Sequence, residues 1–446
     1  MQDKFGLLSA PIPAVLRQMT VPMVFGMVAV LLFNVVDTFF VSLLGTQALA
    51  AMSFTFPITF AVNCITMGMG VGISTSIARL LGQGSQKDAA QFACHGLILT
   101  TILVILASTI SIATLQSLFK LLGAAPSLLP LIDDYMFTWF LAVPLLVIPM
   151  AGNSAIRATG DTKTPAKIMM ISGLANGILD PLLIFGWGPI PEFGIQGAAL
   201  ASGISWVIAL IWSLYILIWR EKLVSWPSVT RFINDIKQIL HIGTPAALSN
   251  AMNPLAAAVL MRILADNGNA AVAAYGAAQR IESLMLIVLM SLTSILTPFM
   301  SQNFGANNSR RSFEALFLSM RFAILFQLTL FIMMVPLSIP LSTLFSQEAE
   351  VKNLLWYYLL IVPIGYGFQG NMMMLVSTFN ALRKPLHAFM WSALRLFVLT
   401  LPCAWFGNHW FGVIGLFCGL LLANIVGGII GYLQAIKLRN EHTVTV

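Results

Sequence analysis

The chain has 446 residues, of which 58% are hydrophobic and 9% are charged. Soluble domains carry about 25% charged residues, so this composition excludes an ordinary soluble protein. The formal net charge of +7 is spread over short breaks between apolar runs, which excludes a nucleic-acid patch.

A helix needs roughly 20 apolar residues to cross a bilayer. Twelve such windows follow one another, at about 13–43, 48–78, 92–118, 130–152, 166–186, 195–219, 236–264, 270–300, 313–335, 353–375, 387–406 and 412–436. No segment between them is long or polar enough to fold as a soluble domain. The start "MQDKFGLLSAPIP" does not read as a cleaved signal, because the apolar run behind it is too long and carries Asp37.

Span one contains Pro22, Asn34 and Asp37. An intramembrane carboxylate costs about 2.5–3.5 kcal/mol on insertion scales, so Asp37 is a functional candidate. Asn34 shares its helical face at a spacing of three. Pro22 removes a backbone hydrogen bond and permits a bend, either a static kink or a hinge that responds to Asp37. "GMGVG" in span two has no strand before it, so its glycines are expected to serve close helix packing. After span four, "GDTKTP" only superficially resembles a phosphate loop, since the glycine before the lysine is missing.

Span five carries Asn176 and Asp180, and span six carries Ser202. Asp37 lies eight residues before Gly45, and Asp180 six before Gly186. At about 1.5 Å per residue both carboxylates sit ~9–12 Å from the same ends of their helices. Ser202 reaches a similar depth from the opposite direction. One layer is thus expected to hold Asp37, Asp180, Asn34, Asn176 and Ser202.

Burial and a neighbouring like charge both favour a protonated acid, so the pair suits coupled proton binding. The same oxygens equally suit Na+ at Asp37, Asp180 and Asn176. No other metal site and no cofactor is expected: the five histidines have no ligand spacing. Cys64, Cys94, Cys403 and Cys418 read as small buried hydrophobes.

The second half repeats the first. Pro22 in "TVPMVFG" matches Pro245 in "GTPAALS", "ALAAM" matches "AVAAY", and Gly82 matches Gly305, all at an offset of 223 residues. The expected fold is an all-α integral membrane protein with twelve transmembrane helices. They form two pseudo-twofold-related six-helix lobes, 1–226 and 227–446. The offset places Leu260 over Asp37 and Ala257 over Asn34, so the carboxylate site is confined to the first lobe. In span eight, Glu282 beside Arg280 is either a second-lobe contributor or a local ion pair. Met372 and Met373 in "NMMM", near Phe368 and Phe379, suit either a forgiving apolar cavity or ordinary packing.

With both termini inside, 18 of the 23 Lys and Arg residues, Lys4 included, fall at cytoplasmic ends. Lys120, Arg262 and Lys352 fall outside, and Arg280 and Arg395 are ambiguous. This is the positive-inside pattern.

"FNVVDTFFVSLLG", "IRATGDTKTP", "NGILDP" and "FGIQGAALAS" together resemble the multidrug and toxic compound extrusion (MATE) transporters over the whole chain. The first and third resemble the branch typified by the DNA-damage-inducible protein F. The resemblance implies a cation-coupled antiporter in a bacterial inner membrane, exporting amphipathic, often cationic or aromatic, compounds. It implies that Asp37 is the protonation site, that Asn176 and Asp180 belong to its network, and that Pro22 marks the bend of the first helix. Ser202 stands where relatives often have threonine. Other branches place an acidic pair in the seventh and tenth helices; here span seven has only Asp266 at its end and span ten has no acid.

A small amphipathic substrate and the bilayer are therefore the expected partners, with no obligate protein partner and H+ or Na+ as coupling ion. The rival readings are a flippase for lipid-linked precursors and a prenyltransferase-type enzyme. The flippase would line its cavity with several Arg or Lys, for which only Arg280 and Arg395 qualify. The enzyme would need clustered aspartates, and no DxxxD-type cluster exists.

Overall fold

The computed structural model describes residues 5–443, and Lys4 therefore lies outside the described residues. Water is absent from the bilayer core, so every backbone N–H and C=O must be satisfied within its own segment. The described chain answers with helices; its one β element is an isolated bridge between Trp187 and Ile190.

The first six spans are α1 (Ile12–Ser42), α2 (Thr46–Gly82), α3 (Gln86–Ala113), α5 (Leu129–Ala158), α6 (Lys163–Ile184) and α7 (Ile195–Tyr215). A short helix, α4 (Leu115–Leu121), separates α3 from α5. After the connection come α8 (Val229–Ala265), α9 (Asn269–Gly305) and α10 (Ser309–Phe345). The next span is interrupted: α11 (Ala349–Ile361) and α12 (Tyr366–Ala381) join through one 3-10 turn at Val362–Gly365. Pro363 in that turn cannot donate the backbone bond a continuous α-helix needs.

The last helices, α13 (Pro385–Ala393) and α14 (Leu401–Thr443), are linked by a π-helical turn, Leu394–Thr400. By hydrogen bonding they form one apolar rod, which makes eleven candidate spans. Gly412, at φ 62° and ψ −153°, breaks that rod into two, giving the twelve expected from sequence. The break works because Gly407 and Gly415 lack side chains: a Cβ on either would lie 2.1 Å from the other's carbonyl oxygen.

The chain divides into two compact units. One comprises residues 5–7 and 17–247, the other residues 8–16 and 248–443. The packing thus changes unit inside α1 and inside α8. In the first unit, α8 crosses α2 where the "GMGVG" glycines are. A Cβ on Gly68 would stand 2.5 Å from both Ala247 and the Gly243 carbonyl, and one on Gly72 would stand 2.9 Å from the Ile239 carbonyl. These glycines serve close packing, as expected from their setting.

"GDTKTP" is also structural. Asp161 accepts hydrogen bonds from Thr164 N (3.0 Å) and Thr164 Oγ1 (2.6 Å), closing the first turn of α6. Arg220, at the end of the sixth span, binds Asp161, Thr164 Oγ1 (2.8 Å) and Glu221 (2.8 Å). The connection after it is pinned by buried His95, whose Nδ1 meets Asp235 at 2.7 Å and whose Nε2 accepts from Ser228 N at 3.1 Å.

Large apolar side chains stand outward along the spans, among them Leu325 (64% exposed) and Ile332 (62%). Such faces would aggregate in water and are solvated by lipid. One cysteine expectation fails here: Cys64 is buried, but Cys418 is exposed on the apolar surface. In a bilayer an apolar thiol can face lipid as readily as core, so the buried-hydrophobe rule for water-soluble proteins loses its force.

Gly68→Val forces a side chain into the α2–α8 contact and is expected to cost about 1–3 kcal/mol through overpacking. Gly276, whose Cβ position meets nothing within 4 Å, is expected to accept Ala unchanged. Thermal midpoints by fluorescence-detected size exclusion separate the two.

Candidate ion-coupling site

The first unit brings Asp37, Asn176, Asp180 and Ser202 into one buried group, at 6%, 0%, 0% and 5% exposure. Small residues on α6 and α7 make this geometry. Gly177 lies against Val36, with 3.7 Å from a notional Cβ to that side chain, so α1 settles close to α6 beside Asp37. At Gly197 a Cβ would fall 2.4 Å from the Leu183 carbonyl. Only glycine lets α7 start so near the end of α6, and that approach carries Ser202 to Asn176.

The Asn176 carboxamide bridges two spans. In the orientation that satisfies its neighbours, Nδ2 donates to Asp180 Oδ2 at 2.8 Å, and Oδ1 accepts from Ser202 Oγ at 3.2 Å and Ser202 N at 3.1 Å. Asn176 and Asp180 are one helical turn apart, the spacing at which side chains meet. Asp37 and Asp180 are close enough to feel each other's charge.

Asp37 Oδ1 and Asp180 Oδ1 are buried without a hydrogen-bond donor among the described residues. A carboxylate placed so is uncompensated charge, costly until a cation neutralises it. A proton on either carboxyl group, or a small cation held by Asp37, Asp180 and Asn176, would do so. Among the described residues, no three His, Cys, Asp or Glu side chains gather as a metal-ligand cluster.

One expectation about this layer changes, and one residue is added to it. Asn34 is exposed and its side chain stays out of the group; its carbonyl accepts from Thr38 Oγ1 at 2.7 Å. A spacing of three leaves about 60° between side chains, enough to put one inside the contact with α6 and one outside it. Tyr135, in contrast, belongs to the group: it is 5% exposed and interacts electrostatically with both aspartates. It lies six residues into α5, so the depth arithmetic applied to tyrosines as well as acids would have found it. α1 runs unbroken through Pro22.

The second unit repeats the helices without the carboxylates, and Leu260, at the position of Asp37, is buried core. It has a different polar group. Glu282 Oε2 accepts from Tyr358 Oη (2.8 Å) and Gln279 Nε2 (3.0 Å), with Tyr366 Oη 3.4 Å from that of Tyr358. Of the two readings of Glu282, the local ion pair with Arg280 does not form: Arg280 is exposed, and the cation that acts on Glu282 is Arg395. Residues two apart on a helix do not face each other, which is why the pairing fails. Met372 is buried against the last span at Gly427 and Gly431, while Met373 is half-buried.

Comparisons with known proteins agree with this architecture. The MatE family model matches the chain twice, at residues 22–182 and 245–406. The crystal structure of the Vibrio cholerae MATE transporter VcmN in its bent form is similar at a TM-score of 0.92 and 32% identity, over 97% of this chain and 98% of that one. The chain belongs to the MATE family: it is a multi-pass membrane transporter and not an enzyme.

Two curated relatives show the breadth of that class. The chain is 43% identical to an FAD transporter of Shewanella oneidensis, over 98% of this chain and 97% of the relative. It is 26% identical to the multidrug export protein MepA of Staphylococcus aureus, over 98% and 96%.

Asn176→Ala removes the donor to Asp180 and is expected to cost about 1–3 kcal/mol, the penalty of leaving a buried acceptor unsatisfied. A double-mutant cycle with Asp180→Asn is expected to recover at least part of that loss. Strict additivity of the two thermal shifts would show that the pair does not interact.

Proposed function

We propose that this protein is a proton-coupled exporter of amphipathic, aromatic compounds, working by alternating access in a bacterial inner membrane with both termini cytoplasmic. The observation that carries the coupling is the buried Asp37–Asn176–Asp180–Ser202 group, with two carboxylate oxygens lacking donors. A site of this kind holds a proton or a small cation in one state of the carrier and releases it in another. The basic residues at the helix ends support the orientation. Asp37 and Asp180 are the coupling groups, Asn176 and Ser202 position Asp180, and Pro22 gives α1 its freedom to bend.

For the substrate, a second reading has its own support. Identity of 43% along the whole length to a named FAD transporter favours a flavin dinucleotide over a broad set of cationic drugs. Both readings share an aromatic, amphipathic body and differ in the charge it carries.

Everted vesicles loaded through an imposed pH or sodium gradient, with FAD and ethidium tested separately, discriminate these readings. Uptake driven by the proton gradient and abolished by Asp37→Asn, in protein that still runs as a monodisperse species, is the expected outcome. Undiminished gradient-driven uptake by that variant would sink the coupling role of Asp37.

A further inference from the structure

The second unit contains an intramembrane guanidinium that the coupling site does not use. Arg395 lies ten residues after Pro385 and seventeen before the break at Gly412. At about 1.5 Å per residue it is ~15 Å into its span, near the centre of a hydrocarbon core about 30 Å thick. Charged side chains at that depth face the protein interior or a water-filled cavity, because lipid cannot solvate them.

Its surroundings are built from several elements of the same unit. Arg395 Nη2 donates to Asn253 Oδ1 of α8 at 2.9 Å. Glu282 of α9 attracts it through space, without a direct ion-pair contact. Glu282 is itself held by Tyr358 and Gln279 and is not drawn onto the guanidinium. Arg395 sits in the π-helical turn, and its carbonyl accepts from Thr400 Oγ1 at 2.8 Å. Such turns redirect side chains and are frequent at functional sites.

An arginine has five N–H donors, and the Asn253 bond uses one. No other acceptor for the guanidinium is present among the described residues, although Asn253 is exposed and Arg395 only half-buried. A guanidinium whose sole purpose was to neutralise Glu282 would be expected to form a direct, bidentate pair with it. Here the carboxylate is anchored by a tyrosine and a glutamine, and the planar fork is left able to take two oxygens.

We propose that Arg395, positioned by Asn253 and balanced by Glu282, is the recognition site for an oxyanion group, phosphate or carboxylate, on the transported compound. The inference rests on the reading of this protein as a carrier and deepens its substrate class: an aromatic body with an anionic end. Glu282 is a counter-charge, weakening the site for anions enough to permit release.

Equilibrium binding in nanodiscs, with no gradient imposed, tests the site independently of ion coupling. FMN and riboflavin share one ring system and differ by a phosphate; fluorescein and rhodamine 6G give an anion and a cation on a second scaffold. Arg395→Gln is expected to weaken FMN or fluorescein by about tenfold or more, the loss of a bidentate charge-assisted pair. Riboflavin and rhodamine 6G should change less than about twofold, the size of effect expected without a lost contact.

Arg395→Lys retains charge without the fork and is expected to fall between the wild type and Arg395→Gln. Glu282→Gln removes the competing charge and is expected to tighten the anionic probes. Fluorescein binding that depends on Arg395 while no flavin binds would keep the oxyanion site and reject the flavin substrate. Four results overturn the proposal: wild type that binds neither anion, unchanged anion binding in Arg395→Gln, equal losses for anions and cations, or unaltered anion binding in Glu282→Gln. The last applies also if Arg395→Gln does not fold.

Discussion

The absence of water in the bilayer core governs this protein more than any single contact. Backbone groups must be satisfied locally, which forces helices, and polar side chains must find partners or a purpose. Against that background each buried polar atom is informative. The Asn176 bridge matters because its amide meets both a carboxylate and a hydroxyl across α6 and α7. It holds Asp180 Oδ2, while Oδ1 of each aspartate has no donor among the described residues. That incompleteness is the observation on which the proposed cation coupling rests.

The two units use one helical plan for different chemistry. The repeat places Leu260 where the first unit has Asp37, and that leucine is buried core. The second unit instead concentrates its polarity on α9, α11, α12 and the π-helical turn, around Glu282 and Arg395. With coupling proposed at Asp37 and recognition proposed at Arg395, the substrate can change without rebuilding the coupling site. Relatives named for FAD and for multidrug export both match this chain along nearly its whole length.

Glycines set much of the geometry by what they leave out. Gly197 lets α7 begin against α6, Gly68 and Gly72 let α8 lie on α2, and Gly412 turns the last rod into two spans. A membrane interface gains little from apolar contact alone, because lipid is equally apolar, so close backbone approach carries the packing. The glycines of "GMGVG" were conspicuous in the sequence, but the partner each one admits was not.

Hydrophobic run lengths, the 223-residue repeat and the cost of charge in lipid were sufficient to determine twelve helices, two halves and the candidacy of Asp37 and Asp180. Those follow from one-dimensional properties: length, period and polarity. Axial depth is also one-dimensional, so Ser202 and Asn176 could be placed in one layer with the aspartates. Rotation about each helix is not. Asn34 passed the depth test and turned out exposed; Tyr135 would have passed it and turned out to be a neighbour of both acids. Arg280 stood beside Glu282 in the chain, yet the guanidinium that acts on Glu282 comes from Arg395, 113 positions later. Which side chains share a layer can be counted along the chain, but which ones face each other is decided only when the helices pack.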